Sequence, residues 1–156
     1  MLPFYYMLDF LAIISAEYLF LVPLFVGGLY FFLQSRPEQK KMIILSAIAL
    51  SISILSMFIL QFIYYNSRPS LVIDFKPLVS HIFKNGFPST HATMTALIAS
   101  VIYVFNRKIG LFLFFISILI SLSRVYLGLH HFVDIIAGIL LAIIMTIIGK
   151  TIMNKY

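Results

Sequence analysis

Long apolar runs separated by short polar breaks dominate this chain. A membrane-crossing helix needs about 20 apolar residues. Five stretches approach or exceed that length: 10–33, 42–65, 90–106, 109–124 and 131–150. The third and fourth are short and are separated only by Asn106-Arg107-Lys108, which reads as a tight helix–helix turn. Both helices should therefore extend beyond their apolar cores. The pattern predicts an all-α polytopic bundle of about five transmembrane helices with one long loop, 66–89. Residues 1–9 are rich in aromatics and suit a short segment at the lipid headgroups, or a frayed end.

Composition sharpens this picture. Of 156 residues, 62% are hydrophobic and 10% charged, against about 45–50% and 25% in soluble domains. An integral membrane protein with a single domain over 1–156 is expected. The absence of cysteine leaves neither a disulfide framework nor thiolate metal ligands. The net charge of +6 does not mark a nucleic-acid partner, because the basic residues are scattered through short loops. They read instead as topology signals. One set of loops holds Arg36, Lys40, Lys41, Arg107, Lys108, Lys150 and Lys155, and the other holds Arg68, Lys76, Lys84 and Arg124. The richer set should face the cytoplasm, placing the N-terminus outside and the C-terminus inside.

That orientation gathers three polar islands on the outer face. They are Asn66-Ser67-Arg68-Pro69, Phe87-Pro88-Ser89-Thr90-His91 and the stretch from Ser123 to Asp134. Ionisable groups are costly beside a bilayer, so their presence there points to function. Arg68 and Arg124 suit an anion, since guanidinium binds phosphate bidentately. Ser89 is a preferred helix N-cap, and the free N–H groups of that helix end add donors. His130 and Asp134 are four residues apart, so on a helix they share a face. Asp134 could then accept from Nδ1–H and leave Nε2 as a nucleophile, with His91 placed to protonate a leaving oxygen. A metal site built from His91, His130, His131 and Asp134 competes with this reading, but two arginines aimed at one spot favour an anion.

Other positions carry weaker signals. Glu17, inside the first span, should face the interior and partner an arginine of the site, or else serve packing. Gly27-Gly28 and the small residues Ala92, Thr93, Thr95, Ala96, Ala99 and Ser100 permit close helix approach, which makes the third span central. Ser46, Ser51, Ser53 and Ser56 suit interhelical hydrogen bonds or packing. The 69–88 loop mixes apolar residues with Asp74, Lys76, His81 and Lys84 and suits a lid beside a lipid entrance, or a plain connector.

Taken together, the islands resemble the type 2 phosphatidic acid phosphatase (PAP2) superfamily over about residues 40–150. Its motifs K-x6-R-P, P-S-G-H and S-R-x5-H-x3-D correspond here to Gln61-x6-Arg68-Pro69, Pro88-Ser89-Thr90-His91 and Ser123-Arg124-x5-His130-x3-Asp134. The resemblance implies that Arg68, Ser89 and Arg124 bind phosphate and that His91 is the general acid. It implies that His130 becomes a phosphohistidine and that Asp134 orients it. It also implies no cofactor and no metal.

Gln61 in place of lysine removes one charge, which its amide, Lys76 or Lys84 could offset. Thr90 replaces glycine and narrows the pocket floor. Phe132 replaces a frequent proline, and His131 reads as a helix-start or headgroup residue. The short five-span layout, Glu17-Tyr18, the non-lysine Gln61 and Arg107-Lys108-Ile109-Gly110 are similar to the bacterial undecaprenyl-diphosphate phosphatases of the bacitracin-resistance type. That resemblance implies a lipid diphosphate substrate and a bacterial inner membrane with an outward-facing site. Phosphatidylglycerophosphate, phosphatidate and lipid A phosphatases are alternatives. A non-catalytic lipid-phosphate binder or transporter is an alternative of a different class.

Overall fold

The computed structural model describes residues 2–72 and 84–155. The lid reading of the long loop, with Asp74, Lys76 and His81, lies outside these residues. The described elements are α1 (Leu2–Glu17), α2 (Leu21–Phe32), α3 (Arg36–Ile63), the short α4 (Pro69–Val72), α5 (Thr90–Phe105), α6 (Arg107–Tyr126) and α7 (Phe132–Met153). Helices α3, α6 and α7 are each long and apolar enough to cross a membrane, and the bent pair α1–α2 makes a fourth candidate. Helix α5 is apolar but has 16 residues, about 24 Å at 1.5 Å per residue. Its short length suits a central position flanked by polar turns. The protein is an all-helical integral membrane protein.

The expected continuous first span is corrected by the structure. Helices α1 and α2 meet at 42° across the break at 18–20. Pro23 explains the position. A proline ring clashes with the carbonyl four residues earlier, here that of Leu19, and its nitrogen cannot donate to it. The chain instead closes two tight turns, Leu21 N–H to Tyr18 O at 3.0 Å and Val22 N–H to Leu19 O at 3.0 Å. Pro23 then sits in the first turn of α2, where no donor is needed. Residues 2–9 are helical and continuous with the rest of α1, and Tyr126 Oη donates to Asp9 Oδ1 at 2.9 Å.

Helix α5 occupies the centre, as its small residues predict, and packs against α2, α3, α6 and α7. Ala92, Thr93, Ala96 and Ala99 are fully buried. Lipid tails are as apolar as the side chains, so helices associate through close packing and hydrogen bonds. One such bond joins α5 to α6, Thr95 Oγ1 to Ser117 Oγ at 2.7 Å. The α5–α7 contact needs a glycine. A Cβ on Gly138 would stand 2.8 Å from Thr93 Oγ1 and 2.9 Å from Ser89 O. Large side chains such as Phe58, Phe62, Phe115 and Ile147 point outward. A patch of this size would be a liability in water, but it is the natural surface against lipid.

The connections are short. Asn106 alone links α5 to α6, and its side chain accepts from Ile109 N at 3.1 Å. The α2–α3 turn is tied by Gln39 Nε2 donating to Phe31 O at 3.1 Å. As a result, the N-terminus of α5, the C-terminus of α6 and the N-terminus of α7 are brought to one end of the bundle.

Candidate active site

The first motif enters the site through a loop pairing. Ser67 and Asn85 form an isolated antiparallel bridge, and Gly86 N–H donates to Asn66 O at 2.8 Å. Asn85 holds the pair together. Its Oδ1 accepts from Asn66 N at 3.1 Å and from Phe87 N at 3.0 Å. Its Nδ2 donates to Gln61 O at 3.3 Å and Tyr64 O at 3.2 Å. This frame aims Arg68 inward, where it is buried and its Nη1 donates to Leu129 O at 2.8 Å. The same Nη1 lies 3.3 Å from His130 Nε2.

His130 is fixed from both sides. Its Nδ1 lies 3.0 Å from Gly86 O. A carbonyl only accepts, so Nδ1 carries the proton. A guanidinium only donates, so Nε2 presents its lone pair to Arg68. The imidazole is therefore neutral. Electrostatics agree, because the His130 pKa is lowered from 6.5, chiefly by burial. Asp134 opposes the shift, and the charges of Arg68 and Arg124 add to it. Burial likewise lowers the Arg68 pKa, with Asp134 opposing.

Asp134 is fully buried, and here the geometry differs from the expected pair on one helical face. Helix α7 begins at Phe132 with His131 as its N-cap, so His130 lies before the helix. Asp134 Oδ2 accepts from His131 N at 2.8 Å, and Oδ1 accepts from Asn66 Nδ2 at 2.7 Å. Oδ2 is 3.6 Å from His130 Nδ1, too far for a hydrogen bond. The direct partner of Nδ1 is Gly86 O, and Asp134 acts on the ring by charge. Helix capping takes priority because the third residue of a helix can reach back to the N-cap N–H. His131 is the helix-start residue, and its Nε2 lies 3.1 Å from Ser67 O.

The remaining predicted residues have the following surroundings. Ser89 is the buried N-cap of α5. Its Oγ accepts from Ala92 N at 3.5 Å, and its N–H donates to Asp134 O at 3.0 Å. Thr90 is exposed. His91 is half-buried with its ring edge-on to Phe20, centroids 6.1 Å apart. Arg124 is buried at the end of α6. Its Nη1 donates to Ala16 O at 3.1 Å and lies 3.7 Å from Glu17 Oε1. Glu17 thus ends α1 facing Arg124. Gln61 meets the frame through its backbone carbonyl, and its side chain forms no hydrogen bond with a described residue. Lys84 is exposed. Among the described residues no three His, Asp or Glu side chains gather as a metal-ligand set.

Asn85 and Gly86, which sequence reasoning passed over, and Asn66, which it named without a role, complete the site. A Cβ on Gly86 would stand 3.0 Å from Asp134 Oδ2 and 3.5 Å from Arg68 Cγ. The dipeptide Asn85-Gly86 is a turn signal that could have flagged this position.

Fold and site place Arg68 against a neutral histidine that also feels the charge of Arg124. The sequence profile of the PAP2 superfamily matches residues 40–156. The chain belongs to the PAP2 superfamily and is a membrane phosphatase of that type. It is similar to the bacitracin transport permease protein BcrC of Bacillus licheniformis, 26% identical over 90% of this chain and 69% of that protein. It is also similar to the undecaprenyl-diphosphatase BcrC of Bacillus subtilis, 27% identical over 69% of this chain and 55% of that protein. The crystal structure of a transmembrane PAP2-type phosphatidylglycerolphosphate phosphatase from Bacillus subtilis shares the fold. Its TM-score is 0.55 and its identity 22%, over 96% of this chain and 76% of that one.

Proposed function

We propose that this protein hydrolyses the terminal phosphate of a lipid diphosphate, undecaprenyl diphosphate first among candidates, through a phosphohistidine on His130. The observation that carries this reading is the neutral His130 ring, with Nδ1–H on Gly86 O and the Nε2 lone pair facing Arg68. A pure binder has no need of a nucleophile held in this tautomer. The substrate reading is supported by the similarity to a protein named undecaprenyl-diphosphatase.

In the proposed reaction the terminal phosphate displaces Nη1 of Arg68 from the ring and takes its hydrogen bond. The Nε2 lone pair forms the new N–P bond as the P–O bond to the bridging oxygen breaks. His91 gives its proton to that oxygen, and lipid monophosphate leaves. Water, losing a proton to His91, then attacks phosphorus and breaks the N–P bond. Inorganic phosphate leaves, and the neutral ring returns. Arg68, Arg124 and the α5 N-terminus at Ser89 offset charge on the phosphoryl oxygens. Asp134 offsets the positive charge that develops on the imidazole during attack.

We further propose that residues 1–156 form one domain with the N-terminus outside, the C-terminus in the cytoplasm and the site on the outer face of a bacterial inner membrane. A phosphate-release panel in EDTA over undecaprenyl diphosphate, phosphatidylglycerophosphate, phosphatidate and lipid A tests the substrate. The highest kcat/KM is expected for undecaprenyl diphosphate. Faster release from phosphatidylglycerophosphate would reassign the substrate, and strict dependence on added divalent metal would remove the metal-free route.

A further inference from the structure

The helices that build the active site build a second pocket at their other ends. It is a cavity of about 440 Å³ between the C-terminal part of α5, the N-terminal part of α6 and the C-terminal part of α7, within the usual range for ligand sites. Its residues recur at helical spacing. Arg107, Leu111 and Phe114 come from α6, Ile147 and Lys150 from α7, and Ser100 from α5. The pocket is therefore graded in depth. Arg107 and Lys150 are exposed at the rim, Leu111 and Ile147 are exposed along the groove wall, Phe114 is half-buried and Ser100 is buried. Ser100 Oγ has no hydrogen-bond partner.

Charge at this end is one-sided. Of the five acidic residues, Asp9, Glu17 and Asp134 are engaged at the active-site end. Asp74 lies outside the described residues. Glu38, at this end, is paired with Lys41 at 2.8 Å. Among the described residues no carboxylate pairs with Arg107 or Lys150. Two uncompensated cations above an apolar cleft match a ligand with an anionic head and a hydrocarbon tail. Basic pockets between transmembrane helices bind anionic lipid head groups on this principle.

We propose that this pocket binds one anionic phospholipid of the adjacent leaflet. Its headgroup phosphate lies between Arg107 and Lys150, and the start of one acyl chain runs over Leu111, Phe114 and Ile147. Ser100 Oγ can donate to an ester oxygen that reaches it. The site is independent of the chemistry at the opposite end. It bridges α6 to α7, so an occupied pocket ties together the helices that carry Arg124 and Asp134.

Native mass spectrometry of the detergent-solubilised protein, loaded from mixed phosphatidylglycerol and phosphatidylcholine micelles, tests this. The wild type should retain phosphatidylglycerol in preference to phosphatidylcholine. The double variant R107Q/K150Q should lose retained phosphatidylglycerol by roughly tenfold or more. The control R36Q/K40Q removes the same charge from exposed positions at the same end, outside the pocket, and should retain it. Equal loss in both variants would reduce the effect to diffuse attraction and overturn the site, as would unchanged retention in R107Q/K150Q.

Discussion

His130 keeps its lone pair because both of its neighbours have a fixed hydrogen-bonding sense: Gly86 O accepts and Arg68 donates. With the pKa lowered below 6.5, the reactive neutral form predominates above pH 6.5 and is lost as pH falls through the lowered value. The acid limb of the kcat/KM profile should therefore lie below pH 6.5. Arg68→Gln removes a charge that lowers the pKa, so the limb should move to higher pH, and kcat/KM should fall by about 10²–10³ through lost phosphate stabilisation. A limb that stays in place would mean that Arg68 does not act on the ring. Gly86→Ala puts a Cβ 3.0 Å from Asp134 Oδ2. A displacement of that order should lower kcat by about 10- to 100-fold, with KM little changed. The motif residues were legible because Arg68, Ser89, Arg124, His130 and Asp134 stand in fixed local spacings of unusual residue types. Asn66, Asn85 and Gly86 were not, since their role comes from pairing across 19 residues of sequence, which no local spacing reveals.

At the scale of the element, the apolar pattern located the helices well and failed where one residue overrode it. The apolar stretch runs from 10 to 33 with Glu17 as its one charge, yet Pro23 splits it at 18–20. The split leaves Glu17 at a helix end beside Arg124. The helical spacing of His130 and Asp134 misled for a related reason, because α7 starts two residues too late to include His130. Close helix contact should be sensitive to volume. Gly138→Ala places a Cβ 2.8 Å from Thr93 Oγ1 and should cost about 1–3 kcal/mol of stability in detergent. It should also lower turnover, because Ser89, whose carbonyl it crowds, hydrogen-bonds Asp134. Thr95→Val removes the bond to Ser117 and should cost only about 0.6 kcal/mol. Thermal unfolding of the two variants side by side checks the order.

For the whole molecule, the charge asymmetry of the loops makes a prediction about sidedness. The chain contains no cysteine, so single cysteines report without background. In intact spheroplasts an impermeant maleimide should label Lys84→Cys, and it should label Lys155→Cys only after lysis. The reverse pattern would turn the active site to the cytoplasm. Fold class and the convergence of the islands could be read from apolar runs and charge. The second basic pocket could not, because it joins side chains from three helices whose packing the pattern does not specify.

The most direct test of the central claim is acid-labile label on His130 in a single turnover. Enzyme in excess is mixed with undecaprenyl diphosphate carrying radiolabelled terminal phosphate, quenched in base, and the labelled peptide is sequenced. The account predicts transient label on His130, none in His130→Ala, and loss of that label as free phosphate appears. Phosphate release at the normal rate with no label on His130, or turnover retained in His130→Ala, would contradict it.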